Sequence, residues 1–248
     1  MNKKHLSVVI PCFNEERNLR LGALEKVAHY LNQQKYSWEV IVVDDGSHDD
    51  SVRLIKNHLT EHPGFRLLEK SHHGKASTVS AGVLASGGDY ILFTDMDQAT
   101  PINQLGNLLP QLTKGFDMVI GSRNTDRRGA PLLRLAMARG FMLLRNLILD
   151  LGLTDTQCGF KAFTRSAAHN LFPRLIVFDK NYTGSGSSVT AGFYVELLYM
   201  AKLRGYKIAE VPVAWTNGPT TRMRIRHLPH IVQEFFLLPG PGETVPTL

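Results

Sequence analysis

The chain is poor in cysteine: Cys12 and Cys158 are the two in 248 residues, and no CxxC spacing occurs. That excludes a disulfide scaffold and a cysteine-type zinc site, and a reducing compartment is expected. No apolar run of about 18 residues is present, which excludes an ordinary membrane-spanning helix. The opening "MNKKHLSVVIPCFNEE" has a basic start, but its apolar stretch runs only from Leu6 to Phe13. It is too short and interrupted for a signal peptide, so the expectation is a cytoplasmic protein, with peripheral membrane contact left open. The ten histidines show no HExxH-like spacing. There is no internal repeat, and no basic patch interleaved with aromatics, so no nucleic-acid partner is expected. What is there is ordinary for a folded domain: 43% hydrophobic and 20% charged residues. The formal net charge of +6 suits an anionic partner without choosing one.

The first half alternates strand and helix signals. "LSVVIPCF" is rich in β-branched residues and reads as a buried strand. In "NEERNLRLGALEKVAHYLNQQ", Leu21, Leu24, Ala28 and Leu31 fall on one helical face. "WEVIVVDDGS" is a strand ending in acids, and "DDSVRLIKNHLTEH" a helix capped by Asp49 or Asp50. "FRLLEK", the small-residue helix "GKASTVSAGVLASG", "DYILFTDMD", the helix "PINQLGNLLPQLTKG" and "FDMVIGSR" continue the pattern. Such alternation predicts an α/β fold with a mainly parallel sheet and helices on both faces. Ligands bind beyond the carboxyl ends of such strands. Asp44 and Asp45, Asp95 and Asp97, and Ser122 and Arg123 all lie at those ends.

The second half is less regular. Residues 131–153 form a very apolar helical stretch carrying Arg134, Arg139 and Arg145. Arg134 and Arg145 are about three turns apart and share a face. "DTQCGFKAFTRSAAHNLF" reads as a turn leading into a helix, 181–190 as a Gly/Ser-rich loop, "AGFYVELLYMAKLRG" as a helix and "YKIAEVPVAW" as a strand with Pro212 near its exposed end. Residues 226–248 read as a C-terminal helix and tail.

Asp95 and Asp97 carry the sharpest chemical signal. Side chains at i and i+2 of a strand point the same way, so the two carboxylates converge if the strand persists that far. Hard cations such as Mg²⁺ or Mn²⁺ take one or two carboxylates and complete their shell with substrate phosphate oxygens. The pair alone fits a solvated turn better, since such a spacing is common by chance; its surroundings reverse that. "VVIPCFNEE", "VIVVDDGS", "GK" at 74–75, "DMD" at 95–97 and "GSR" at 121–123 occur in this order.

That ordered set resembles glycosyltransferase family 2, and "DTQCGFKAF" with "VELLYMAKLRGYKIAEVPVAW" resembles its polyprenyl- and dolichyl-phosphate sugar synthases, above all the dolichyl-phosphate β-glucosyltransferase type. The likeness covers roughly residues 6–225. It implies a GT-A type, Rossmann-like catalytic domain over 1–225, with a nucleotide-sugar half at 1–125 and an acceptor half at 126–225. It further implies nucleotide contacts at Pro11, Phe13, Asn14, Glu15, Asp44, Asp45, Gly46, Lys75, Asp95 and Met96. Asp95 and Asp97 would hold the metal, Asp97, Arg123 and Lys161 would serve catalysis, and Arg123, Gln157, Lys161, Arg222 and Arg224 would face the acceptor or the phosphates. Three positions depart from the pattern. Mannosyl-type relatives often place Gln where this chain has Ala99, with Gln98 one earlier; "GKG" is "GKA" at Ala76; and "FDVELL" is "FYVELL", so Tyr194 replaces a carboxylate and Glu196 is the nearest acid.

The implied reaction is metal-dependent, inverting transfer of a sugar from a nucleotide sugar to polyprenyl phosphate. UDP-glucose is favoured and GDP-mannose possible. Two other readings stay open: a family enzyme with a soluble hydroxyl acceptor, and a non-catalytic nucleotide-binding module. The 131–153 stretch, if interfacial rather than core, would hold the protein on the cytosolic face of a membrane.

Overall fold

A computed structural model of the chain describes residues 5–123, 151–175 and 187–216, with the side chains of 187–191 left out. The expectations for Arg134, Arg139, Arg145, Arg222 and Arg224, and for the 226–248 tail, lie outside the described residues. Seven strands form one sheet in the order β3-β2-β1-β4-β6-β5-β7. They are β1 (Leu6–Cys12), β2 (Trp38–Asp44), β3 (Phe65–Glu69), β4 (Tyr90–Phe93), β5 (Met118–Arg123), β6 (Lys161–Thr164) and β7 (Ile208–Val213). All neighbouring pairs are parallel except those made by β6, which runs antiparallel between β4 and β5.

The helices are α1 (Glu16–Arg20), α2 (Ala23–Asn32), α3 (Ser51–Glu61), α4 (Lys75–Leu84), α5 (Leu105–Thr113), α6 (Arg165–Leu171) and α7 (Ser187–Leu203). They cover both faces, and β1 shows how. Val9 joins the core under α4, α6 and α7, while Val8 and Ile10 join the one under α2, α3 and α5. This is the period-two alternation of a strand buried on both sides. The small residues of α4 serve close approach: a Cβ on Gly82 would lie 2.4 Å from Val9 and 2.9 Å from Val43.

Four expectations are corrected. The long first helix is two, because Gly22 adopts φ +75 and breaks it. Leu21 is therefore swung out to 54% exposure, while Leu24, Val27, Ala28 and Leu31 stay buried. "KAFT" is a strand and not a turn: four residues give too short a run for periodicity, and a leading lysine disguises a segment buried at its first three residues. Ser187 to Thr190, read as loop, already belong to α7. β4 ends at Phe93, so Asp95 and Asp97 are not brought together by strand alternation. They lie on a turn closed by the Gln98 N–H donating to the Asp95 carbonyl at 3.2 Å, with Gln98 at φ 49.

Register then fixes the site. Cys12 pairs with Asp44, Val9 with Phe93, Phe93 and Ile120 both with Lys161, and Arg123 with Val213. The carboxyl ends of β1, β2, β4, β5 and β7 and the amino end of β6 therefore form one rim.

Candidate active site

Three loops at this rim are laced together by side chains. The loop after β1 joins the loop after β2: the Asn14 N–H donates to Ser47 Oγ, Asn14 Oδ1 accepts from the His48 N–H, and the Glu15 N–H donates to Ser51 Oγ. Asp49 accepts from the Glu16 and Ser51 N–H groups, so it holds the starts of α1 and α3 at once. Asn14 takes φ 54, a left-handed conformation that asparagine tolerates.

Asp44 and Asp45 divide their labour. Both are 3% exposed. Asp45 is engaged within the chain: Oδ1 accepts from the His73 N–H and Oδ2 from the Gly74 N–H, with His72 Nδ1 at 2.8 Å. It shapes the loop that starts α4. Asp44 Oδ2 accepts from the Gly46 and Ser47 N–H groups, a tight turn for which Gly46 supplies φ +75, but Asp44 Oδ1 is buried with no partner. A buried, unpaired carboxylate oxygen is costly unless a donor arrives. On the loop after β1, Phe13, 39% exposed, stacks on His72 with ring centroids 4.3 Å apart, and His48 meets Phe13 edge-on at 6.3 Å.

At the next strand end, Asp95 Oδ1 receives the Lys75 ammonium at 2.5 Å. Burial opposes the Lys75 charge, but Asp95 outweighs it and holds the ammonium above the usual lysine range. Asp97 accepts from the Ala99 N–H at 3.0 Å. Burial and then the nearby Asp95 push its carboxyl above the usual range, and Glu15 is raised by burial and by both aspartates. Glu15, Asp95 and Asp97 thus act on one another electrostatically, with the Lys75 ammonium paired to Asp95. Such a site is underneutralised and suits a hard cation. Among the described residues no group of three or more His, Cys, Asp or Glu is arranged to hold a metal alone, so an ion here would take further ligands from a bound anion. The Gln98 amide N–H donates to the Asp95 carbonyl at 2.8 Å, which leaves its amide oxygen buried without a partner among the described residues. Met96 is buried, 2% exposed, as an anchor of the turn.

On the other side, Arg123 forms a fork with Asp155: Nε to Oδ2 at 2.6 Å and Nη2 to Oδ1 at 2.8 Å. Burial raises the Asp155 carboxyl and lowers the arginine, but the ion pair overcomes both, so Asp155 lies below the usual carboxylate range. Asp155 is buried, so the partner of Arg123 is no surface acid. Its backbone is held in turn, with the Thr154 and Asp155 N–H groups donating to the Glu210 carboxylate at 2.8 and 2.7 Å. Trp215, 37% exposed, lies 5.6 Å from the Arg123 guanidinium.

Lys161 is placed differently from expectation. It is 0% exposed, and its ammonium donates to the carbonyls of Thr156, at 3.1 Å, and Cys158. Burial brings its pKa down to about 8. In this conformation it braces the 155–159 loop through those two carbonyls. Gln157 belongs to that loop, its N–H donating to Asp155 Oδ1. Cys158 is free and buried. Tyr194 lies between the two lysines, 5.6 Å from Lys75 Nζ and 4.6 Å from Lys161 Nζ, stacked on Phe93. Its hydroxyl makes no well-formed hydrogen bond, and burial pushes it above the usual tyrosine range. Glu196 is buried on α7, 7% exposed.

The family model described as "Glycosyl transferase family 2" matches residues 7–172. The chain belongs to glycosyl transferase family 2. Its relatives include dolichyl-phosphate β-glucosyltransferases of Trichomonas vaginalis (34% identity, 89% of this chain and 66% of that one) and of Dictyostelium discoideum (33%, 86% and 67%). The human dolichyl-phosphate β-glucosyltransferase is 31% identical over 86% of this chain and 68% of its own length. The chain thus spans about two thirds of the length of these relatives. Among solved structures, a Pyrobaculum calidifontis mannosyltransferase in complex with GDP-Man and Mn²⁺ aligns with TM-score 0.63 at 19% identity, over 96% of this chain and 64% of that one. Glucosyl-3-phosphoglycerate synthase from Mycobacterium tuberculosis, in complex with Mn²⁺, UDP and glucosyl-3-phosphoglycerate, aligns with TM-score 0.60 at 19% identity, over 96% and 82%. These likenesses show the shared GT-A fold of the glycosyl transferases. Among the described residues of this family 2 chain, no helix is long and apolar enough to cross a membrane.

Sequence reasoning missed Asp155 and His72. Asp155 stood in a quoted motif, but nothing local marks its arginine partner 32 residues away.

Proposed function

We propose that this family 2 chain is an inverting transferase that moves glucose from UDP-glucose to a polyprenyl phosphate of the dolichyl type. The observation that carries the reading is one rim holding an underneutralised acid cluster and a carboxylate-braced arginine, in a chain about a third identical to dolichyl-phosphate β-glucosyltransferases. The unpaired Asp44 Oδ1 supports a nucleobase N–H as its donor, with the base lying against Phe13 near Pro11 and Asn14. Asp95 and Asp97 would hold a divalent ion, Mg²⁺ or Mn²⁺, on the diphosphate, where it would offset the charge developing on the leaving group.

The acceptor phosphate is an anion near neutral pH and needs little help in losing a proton. That accords with Tyr194 where many relatives carry a carboxylate. Arg123 would receive the acceptor phosphate. A guanidinium has five N–H donors, and Asp155 takes two of them among the described residues, so others remain to grip phosphate oxygens. Lys75, next to Asp95, would steady the donor diphosphate. Attack from the face opposite the leaving group inverts the anomeric carbon.

Incubation with radiolabelled UDP-glucose, GDP-mannose and other nucleotide sugars, short-chain polyprenyl phosphate and Mn²⁺ or Mg²⁺ tests this. Label from UDP-glucose should enter the organic phase. Label confined to a water-soluble product would favour a hydroxyl acceptor, and no transfer from any donor would leave a binding module. Phe13→Ala should raise KM for the nucleotide sugar about tenfold with kcat little changed, since stacking on a base contributes about 1–3 kcal/mol. An unchanged KM removes Phe13 from the base site.

A further inference from the structure

Gly159 sits directly against the Asp95 carboxylate. A Cβ built on it would lie 2.2 Å from Asp95 Oδ2, 2.8 Å from Cγ and 3.0 Å from Oδ1, and these are its three nearest atoms. The contact joins the acceptor-side loop to the acid turn across 64 residues of chain. We infer that Gly159 is a positioning residue for the divalent ion: the 155–159 loop is the stop against which Asp95 is seated, and the absence of a side chain at 159 sets where its carboxylate stands. This rests on the reading of Asp95 and Asp97 as ion ligands.

Which partner would yield to a methyl group decides the consequence. The loop is pinned at four points. Glu210 holds the N–H groups of Thr154 and Asp155, and Arg123 forks onto Asp155. The buried Lys161 ammonium holds the carbonyls of Thr156 and Cys158. The Cys158 sulfur packs 3.8 Å from Thr100 Oγ1 and against the bare Cα of Gly121, where a Cβ would lie 3.2 Å from it. Asp95, by contrast, is held at its carboxylate by Lys75, and both side chains are partly exposed, 36% and 27%. Rotating one short side chain costs less than lifting a braced loop, so Asp95 moves. The same loop carries Asp155, the brace of Arg123. One rigid segment therefore sets the spacing between the ion side and the acceptor side, a spacing on which in-line attack depends. Lys161 acts through this loop and not on substrate.

The test is Mn²⁺ titration of the full chain with UDP, followed by electron paramagnetic resonance. Gly159→Ala should weaken Mn²⁺ at least tenfold, the range typical when groups orienting a metal ligand are disturbed. Its affinity for UDP without metal should be unchanged. Lys161→Met, which frees the loop to yield, should reduce the further loss caused by adding Gly159→Ala. If Gly159→Ala does not fold, the Asp95→Ala/Gly159→Ala pair, which removes the clash, should restore a soluble folded chain. Wild-type Mn²⁺ affinity in folded Gly159→Ala overturns the inference, as does a pair that stays unfolded while Asp95→Ala alone folds. Failure of the wild-type chain itself to bind Mn²⁺ with UDP overturns the underlying reading of the acids, and is told apart because no variant is needed to see it.

Discussion

Asp97→Ala is expected to lower sugar transfer by about 10³-fold, the scale of losing a principal electrostatic stabiliser of the transition state, while the ion-free chain keeps its melting temperature. The two halves of this expectation have one cause. In the ion-free fold the Asp97 charge is disfavoured first by burial and then by Asp95, so its carboxyl is raised above the usual range. An acid whose folded-state pKa exceeds its unfolded value loses stability as pH rises from the unfolded towards the folded pKa. At neutral pH such a group is therefore a liability to the fold, and its hydrogen bond from the Ala99 N–H offsets only part of that. Removing it should leave thermal unfolding unchanged or shifted slightly upward. Mn²⁺ added with UDP should then stabilise the wild-type chain but not the variant, as mass action requires of a ligand that binds the folded state. Near-normal turnover, or a large drop in ion-free melting temperature, would recast Asp97 as a structural turn acid.

Much of the fold was legible because β1 and β2 are long runs rich in β-branched residues. β1 and β2 are buried on both faces, and a hydrophobic pattern alone marks them. The acid turn was legible as a motif but not as geometry. Alternation along a strand was the natural reading of Asp95 and Asp97, yet β4 stops at Phe93 and a turn does the work. β6 stayed hidden for a different reason. Central position, not composition, makes "KAFT" a strand, and Lys161 enters the core because two carbonyls of its own loop are there to receive it. The resemblance implied a phosphate role for Lys161; in the fold its ammonium is turned onto those carbonyls. Asp44 and Asp45 were equivalent in sequence. Only the fold shows that Asp45 holds the start of α4 while Asp44 keeps one buried oxygen unpaired.

Arg123→Met is expected to destabilise the fold by about 3–5 kcal/mol, because it leaves the buried Asp155 carboxylate uncompensated, and to reduce transfer about 100-fold or more. Loss of activity in such a variant is ambiguous, and the pairing itself resolves it. Asp155 also accepts from the Arg123 and Gln157 backbone N–H groups, so a neutral asparagine can keep part of that role. In Arg123→Met/Asp155→Asn the stranded charge is gone, and most of the lost stability should return while transfer stays low. The acid limb of the stability curve gives an independent check. Because Arg123 holds the Asp155 carboxyl below its ordinary value of about 3.9, the pair contributes fully above that pH. Its contribution is lost as pH falls through the folded-state pKa. Asp155→Asn alone should flatten this limb and, by letting the guanidinium turn away from its fork, raise KM for the polyprenyl phosphate more than for the nucleotide sugar. Recovery of both stability and transfer in the double variant would make the fork purely structural. Recovery of stability without transfer identifies Arg123 as a group that touches substrate, with Asp155 aiming it.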